Sequence, residues 1–152
     1  MRVLVQRVLS ARVEIEGAVA GEIGPGLLAL VGVGRNDTAE AVEWCADKVV
    51  GLRVFRDAED RMNLAVGDIA GASVLSVSQF TLYGDVGRGR RPGFSRAAPP
   101  DAAEAWWEHF NDRIRRAGVP LAMGRFRADM AVHLVNDGPV TLWIDSDQHF
   151  AP

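Results

Sequence analysis

Three strand-like segments follow one another within the first 33 residues, joined by turns too short to carry a crossover, and this commits the start of the chain to antiparallel pairing. Arg12, Glu14 and Glu16 alternate with Val13 and Ile15, the period-2 pattern of a sheet with one wet face. Gly17 permits a tight turn into residues 18–23, and Gly24-Pro25-Gly26 makes the next. Residues 27–33 are apolar without interruption, as in a strand buried on both faces.

Two helices interrupt the strands. Asp37 stands three residues before Glu40, a capping-box spacing that predicts a helix from Asp37 to about Val50, with Val42, Cys45, Ala46 and Val49 on one face. Pro99-Pro100-Asp101 opens the second. Trp106, Phe110 and Ile114 recur there at four-residue steps beside Ala103 and Trp107, and Gly118 closes it. Between the helices, residues 52–55 and 73–83 have strand composition, separated by a turn at 57–61. After them, residues 130–135 and 140–144 flank Asn136-Asp137-Gly138-Pro139, which reads as a hairpin turn. The expected fold is α+β, a compact, mostly antiparallel, barrel-like sheet with two main helices, in one domain spanning 1–152. With 152 residues, 48% of them hydrophobic, the chain can bury a core without disulfide or metal.

Several chemistries drop out. The lone Cys45 excludes an internal disulfide framework and suits a cytoplasmic protein, and nothing nearby would activate it as a nucleophile. The longest uncharged run, residues 69–84, is 16 residues long and interrupted by hydroxyls and an amide, so no membrane span is expected; Arg2, Gln6, Arg7 and Arg12 rule out the apolar stretch of a signal peptide. Gly32-Val33-Gly34 lacks the third glycine of a dinucleotide loop and reads as a turn pair. Lys48, the one lysine, lies mid-helix, away from any phosphate-binding motif. His109, His133 and His149 have no metal-ligand spacing and no evident triad partners, so neither metal nor cofactor is expected.

Charge is uneven. The chain carries a net −3, yet Arg88, Arg90, Arg91 and Arg96 face Asp85 alone within residues 84–96, a basic loop on an acidic body suited to phosphate. Two segments break strand rules. In Ser78-Gln79-Phe80-Thr81, Ser78 and Thr81 cannot share a face without irregular backbone, and Pro139 removes a ladder donor directly before a good strand.

Together with the opening Met-Arg-Val-Leu-Val-Gln-Arg-Val, Arg90-Arg91-Pro92 and Gly124-Arg125-Phe126, the segments Ser78-Gln79-Phe80-Thr81-Leu82-Tyr83 and Asn136-Asp137-Gly138-Pro139-Val140-Thr141 resemble, in order, the D-aminoacyl-tRNA deacylase family. The resemblance runs from Met1 to about Ser146 and implies hydrolysis of the ester joining a D-amino acid, or mischarged glycine, to the 3′ end of tRNA. It implies a homodimer with active sites at the subunit interface, where a cis Gly138-Pro139 bond reaches into the partner's site and rejects L-amino acids with its carbonyls.

It also implies roles for residues. Thr81 is the catalytic candidate, positioning water or substrate with the adenosine 2′-hydroxyl assisting, because no base is at hand to activate it for covalent attack. Backbone amides around Gln79, Phe80 and Thr81 are candidate oxyanion donors. Ser78, Gln79, Phe80, Phe94, Met130 and Asn136 would bind substrate, with Phe80, Phe94 and Met130 as walls for the terminal adenosine. Arg88, Arg90, Arg91 and Arg96 would contact tRNA phosphates. The basic loop departs from the family's more usual lysine and serine at Gly87-Arg88-Gly89 and Pro92-Gly93-Phe94. A non-catalytic RNA-binding dimer would need the Arg loop alone, and a structural dimer neither element.

Overall fold

The computed structural model describes residues 1–87 and 89–150. Its central element is β1 (Arg2–Ile15), 14 residues long, flanked on one edge by two strands in succession. β3 (Gly26–Gly32) pairs with the first half of β1, from Arg2 opposite Gly32 to Val8 opposite Gly26, and β2 (Ala18–Ile23) pairs with the second half. Both pairings are antiparallel, as the short turns require.

Beyond β3 the direction changes. β6 (Ser73–Ser78) lies parallel to β3, and β7 (Leu121–Met123) parallel to β6. The sheet is therefore mixed rather than mostly antiparallel. The reason lies in the two helices: α1 (Ala39–Gly51) lies in the connection from β3 to β6 and α2 (Pro100–Arg116) in that from β6 to β7, so each returns the chain in the same direction. A small hairpin of β4 (Phe55–Arg56) and β5 (Met62–Leu64) stands apart. β2 closes on β7, where a Cβ on Gly21 would lie 2.5 Å from the Met123 carbonyl oxygen, and the sheet nearly becomes a barrel.

Apolar side chains fill both sides of this sheet. Val3, Val5, Leu27, Ala29 and Val31 pack under the helices with Cys45, Val49, Phe110 and Ile114, while Val8, Val13, Leu28, Leu75 and Val77 form a second cluster. β3 is buried on both faces, as its apolar run predicts. The inner face of α2 carries Ala103, Trp107, Phe110 and Ile114, with Trp106 at its edge; the Trp107 indole N–H donates to Ser76 Oγ at 2.9 Å.

Four local expectations change. α1 is capped by Thr38, whose hydroxyl accepts from the Ala41 N–H at 3.3 Å; Asp37 instead accepts from Gly34 N at 2.8 Å and pairs with the α-ammonium of Met1, which Ser146 also contacts. The strand expected over 73–83 stops at Ser78, and Phe80–Tyr83 is a single 3-10 turn. The two strands expected around Asn136 to Pro139 are one, β8 (Ala131–Asp145), which runs antiparallel to β1 along nearly its whole length. A third helix, α3 (Ser146–Phe150), follows, and His149 stacks on Trp44 of α1 at 4.3 Å between ring centroids.

Candidate active site

Where β6 ends, the backbone must leave the sheet over β3, and glycine makes the room. A Cβ on Gly32 would lie 3.0 Å from the Gln79 carbonyl oxygen and 3.1 Å from Leu82 Cβ, and one on Gly34 would lie 2.6 Å from the Tyr83 hydroxyl. Gly32 and Gly34 are thus space for the turn at 80–83 rather than a turn pair. Tyr83 is buried under it, its phenol pushed well above the ordinary range by burial, with the Arg2 guanidinium 4.5 Å from its ring centroid.

The irregular backbone answers the facing problem of Ser78 and Thr81. The Gln79 N–H still belongs to the sheet, donating to Val31 O at 2.7 Å, but the N–H groups of Phe80 and Thr81 find no acceptor among the described residues. Gln79 Nε2 donates to the Thr81 hydroxyl, which is exposed on the outside of the turn. Two adjacent free amides beside an oriented hydroxyl can stabilise an oxyanion.

Next to this turn opens a cleft of about 780 Å³, walled by the ends of β3 and β6, the start of α2 and the segment after β7. Ser78, Gln79, Phe80, Phe94 and Met130 all line it. Phe80 and Phe94 meet edge to face at 5.0 Å, and both are partly exposed, Phe80 at 56%. Gly124 lets Met130 approach closely, since a Cβ there would lie 2.6 Å from the Met130 sulfur. The flanking Phe126 lines the cleft beside Trp107. Thr81, Asn136, Gly138 and Pro139 do not line the cleft of their own chain.

Gly138 and Pro139 sit instead on an exposed bulge of β8, where Asp137 to Val140 fall between the pairs Val8 with Asn136 and Gln6 with Thr141; the Gly138–Pro139 peptide is cis. Asn136, expected to bind substrate, braces this bulge: its Nδ2 donates to Arg7 O at 2.8 Å and Val140 O at 3.0 Å, and its Oδ1 accepts from Thr141 Oγ1 at 3.3 Å. The larger brace is Arg7. Its guanidinium is 3% exposed, pairs with Asp137 at 2.8 Å, and donates to Val54 O and, at 3.5 Å, to Gly138 O. Sequence reasoning missed it. The signal was there, because Arg7 follows Val3 and Val5 on one face of the strand, and both of those are fully buried.

Of the basic loop, Arg90 and Arg91 are exposed, Arg96 pairs with Asp147 at 3.6 Å, and Arg88 lies outside the described residues. Arg35 and Arg127, not singled out in the sequence, line the cleft. Cys45 is buried, with its thiol pushed up to about 12 by burial, which fits packing and not nucleophilic chemistry. Among the described residues no three His, Cys, Asp or Glu side chains gather as metal ligands, and no helix is long and apolar enough to cross a membrane.

A family model described as D-Tyr-tRNA(Tyr) deacylase matches residues 4–145. The chain belongs to this family. Curated relatives called D-aminoacyl-tRNA deacylase include that of Thermotoga petrophila, 55% identical over 99% of this chain and 100% of the relative, and that of Exiguobacterium sibiricum, 57% identical over 95% and 99%. Among solved structures, one titled c-Myc DNA Unwinding Element Binding Protein superposes with a TM-score of 0.88 at 36% identity, covering 95% of this chain and 98% of its own. Another, titled as a probable eukaryotic D-amino acid tRNA deacylase, reaches a TM-score of 0.76 at 17% identity over 94% and 97%, and shares the fold.

Proposed function

We propose that the protein is a D-aminoacyl-tRNA deacylase that hydrolyses the ester between a D-amino acid, or glycine, and the 3′ end of tRNA. The observation that carries this reading is the pair of unbonded N–H groups at Phe80 and Thr81, beside the Gln79–Thr81 contact, on the rim of a cleft walled by Phe80, Phe94 and Met130. The cleft's size lies within the usual range of small-ligand sites, and its aromatic edges suit an unstacked adenosine.

In this mechanism water attacks the ester carbonyl carbon and the developing oxyanion accepts from the two amides. The acyl–oxygen bond then breaks, the ribose oxygen takes a proton, and the free D-amino acid leaves. Thr81, held by Gln79, orients the water or the ester, and the adenosine 2′-hydroxyl assists the proton transfer. An aminoacyl ester is reactive enough for such preorganisation to supply much of the rate.

Chirality is read by a second copy of the chain. The bulge carrying Gly138 and Pro139 is exposed and touches none of its own cleft, while Val135, Leu142 and Trp143 of the same strand expose apolar surface, which supports a homodimer built on β8 with the bulge entering the partner's cleft. A backbone wall of this kind rejects an L side chain without recognising which one it is. Arg90 and Arg91 contact tRNA phosphates.

The test is deacylation of D-tyrosyl-, L-tyrosyl- and glycyl-tRNA at equal concentration with a chelator present. Loss of the D and glycyl esters with the L ester intact is expected. No hydrolysis by a folded dimer that still retains tRNA would replace the enzyme with a nucleic-acid-binding module. A Thr81→Ala enzyme at near-normal turnover would remove Thr81 from the mechanism.

A further inference from the structure

Many of the described arginines are spoken for. Eight described ones, from Arg2 on β1 to Arg115 on α2, pair with a carboxylate. Arg35 and Arg127 do not, and both line the cleft, with Asp129 as the one acid beside them. Arg35 is anchored without being used up: its Nε donates to Ser95 O at 2.5 Å, and its two terminal nitrogens find no acceptor among the described residues.

Arg127 sits in a tight turn, closed by the Ala128 N–H on Arg125 O at 3.3 Å, with φ at +61° in the left-handed region that ordinary side chains avoid. A backbone kept in such a conformation at the edge of a cleft, carrying a guanidinium with no partner among the described residues, is what a ligand-holding position requires. The same mouth receives the start of α2, 17 residues long, whose N-cap Pro99 offers no side-chain cap, so its positive end adds to the field of the two guanidinium groups.

We infer that Arg35 and Arg127 form a phosphate subsite at the mouth of the cleft, which holds the 5′-phosphate of the terminal nucleoside seated on Phe80 and Phe94. The inference rests on the deacylase reading and deepens it. A nucleoside lodged against the two phenylalanines must leave the cleft through its 5′-phosphodiester, an anion that loses water on entering. Planar guanidinium groups with free η nitrogens suit that anion better than any other group lining the cleft. The exposed Arg90 and Arg91 then serve phosphates farther along the acceptor strand.

Two non-hydrolysable ligands test this by calorimetry at low salt: 3′-deoxy-3′-(D-tyrosylamino)adenosine with and without a 5′-phosphate. The phosphate is expected to tighten binding to the unmodified protein about tenfold, the size of one charge-assisted hydrogen bond at the low end of its range, as suits a subsite at an exposed cleft mouth. In Arg35→Ala combined with Arg127→Gly, chosen because glycine accepts the left-handed backbone, that gain disappears while the unphosphorylated ligand binds within about twofold of before. Arg90→Ala with Arg91→Ala keeps the gain. Equal binding of the two ligands to the unmodified protein, a gain that survives the first double variant, or one lost in the second, overturns the phosphate subsite alone. Failure of both ligands to bind the unmodified protein overturns the nucleoside site itself.

Discussion

The rim at residues 78–83 and the bulge at residues 136–141 both interrupt a strand, and they do so in opposite ways. At the rim, glycines beneath the chain let the backbone turn, and two N–H groups are left open beside an exposed hydroxyl. At the bulge the polar groups are tied down, with Asn136 bonded to Arg7 O, Val140 O and Thr141, and Arg7 reaching Asp137, Val54 and Gly138. Open donors at the edge of a cleft are a place for a ligand. Satisfied groups around an exposed projection fix a shape. The first region can bind and activate, whereas the second can present a rigid surface to something outside its own chain.

The sharpest way to break that comparison is Arg7→Ala. Its loss leaves the Val54 and Gly138 carbonyls without a buried donor and Asp137 without its cation, for a cost of about 3 kcal/mol. Urea unfolding reads that loss, and the ratio of D- to L-tyrosyl-tRNA hydrolysis reads the bulge, with the ratio expected to fall by more than the D rate itself. Arg7→Lys keeps a charge but not the fork, and is expected to recover stability more than selectivity. A variant that keeps both would mean the bulge holds its shape without Arg7.

At the rim the matching substitution is Gly32→Ala. The added methyl presses on the Gln79 carbonyl and Leu82 Cβ, at 3.0 and 3.1 Å, so the turn must move by a few tenths of an ångström. About 1 kcal/mol of stability is expected to go, with roughly a tenfold fall in kcat and little change in selectivity, because the open amides shift while the bulge does not. Steady-state kinetics on both enantiomers checks it. A fall in selectivity with kcat intact would reverse the roles given to the two regions.

How far each region could be read in advance follows from what holds it. Ser78 and Thr81 cannot line one face of a regular strand, so irregular backbone near them was legible from hydroxyl spacing alone, whereas Phe80, Phe94 and Met130, which line the cleft, were pointed to only by the family resemblance. The parallel half of the sheet was hidden, because its strands lie far apart in sequence and nothing in β3, β6 or β7 states a direction; the helices decide it. Asp37 was misread because a capping-box spacing does not show that the chain's own ammonium competes for the carboxylate. Pro139 was assigned to a hairpin since proline rarely interrupts a strand, and no local signal shows that a bulge opposite Arg7 would absorb it.

The smallest effect is expected from a group outside both regions. Cys45 lies under α1, where burial holds its thiol up at about 12. Unfolded, it ionises near about 8.5. The folded state therefore binds the proton more tightly, so this thiol's contribution is fully present below about pH 8.5 and is lost as pH rises toward its folded value. Unfolding curves of the native protein should weaken between pH 9 and 11 more steeply than those of Cys45→Ala, while the variant's activity at pH 7.5 stays within about twofold, since the packing change is small and remote from the cleft. A thiol-reactive disulfide should leave the folded enzyme untouched at pH 8 and label it in urea. Rapid labelling of the folded enzyme with loss of activity would place chemistry in the helical layer, and the division of labour between rim and bulge would then be incomplete.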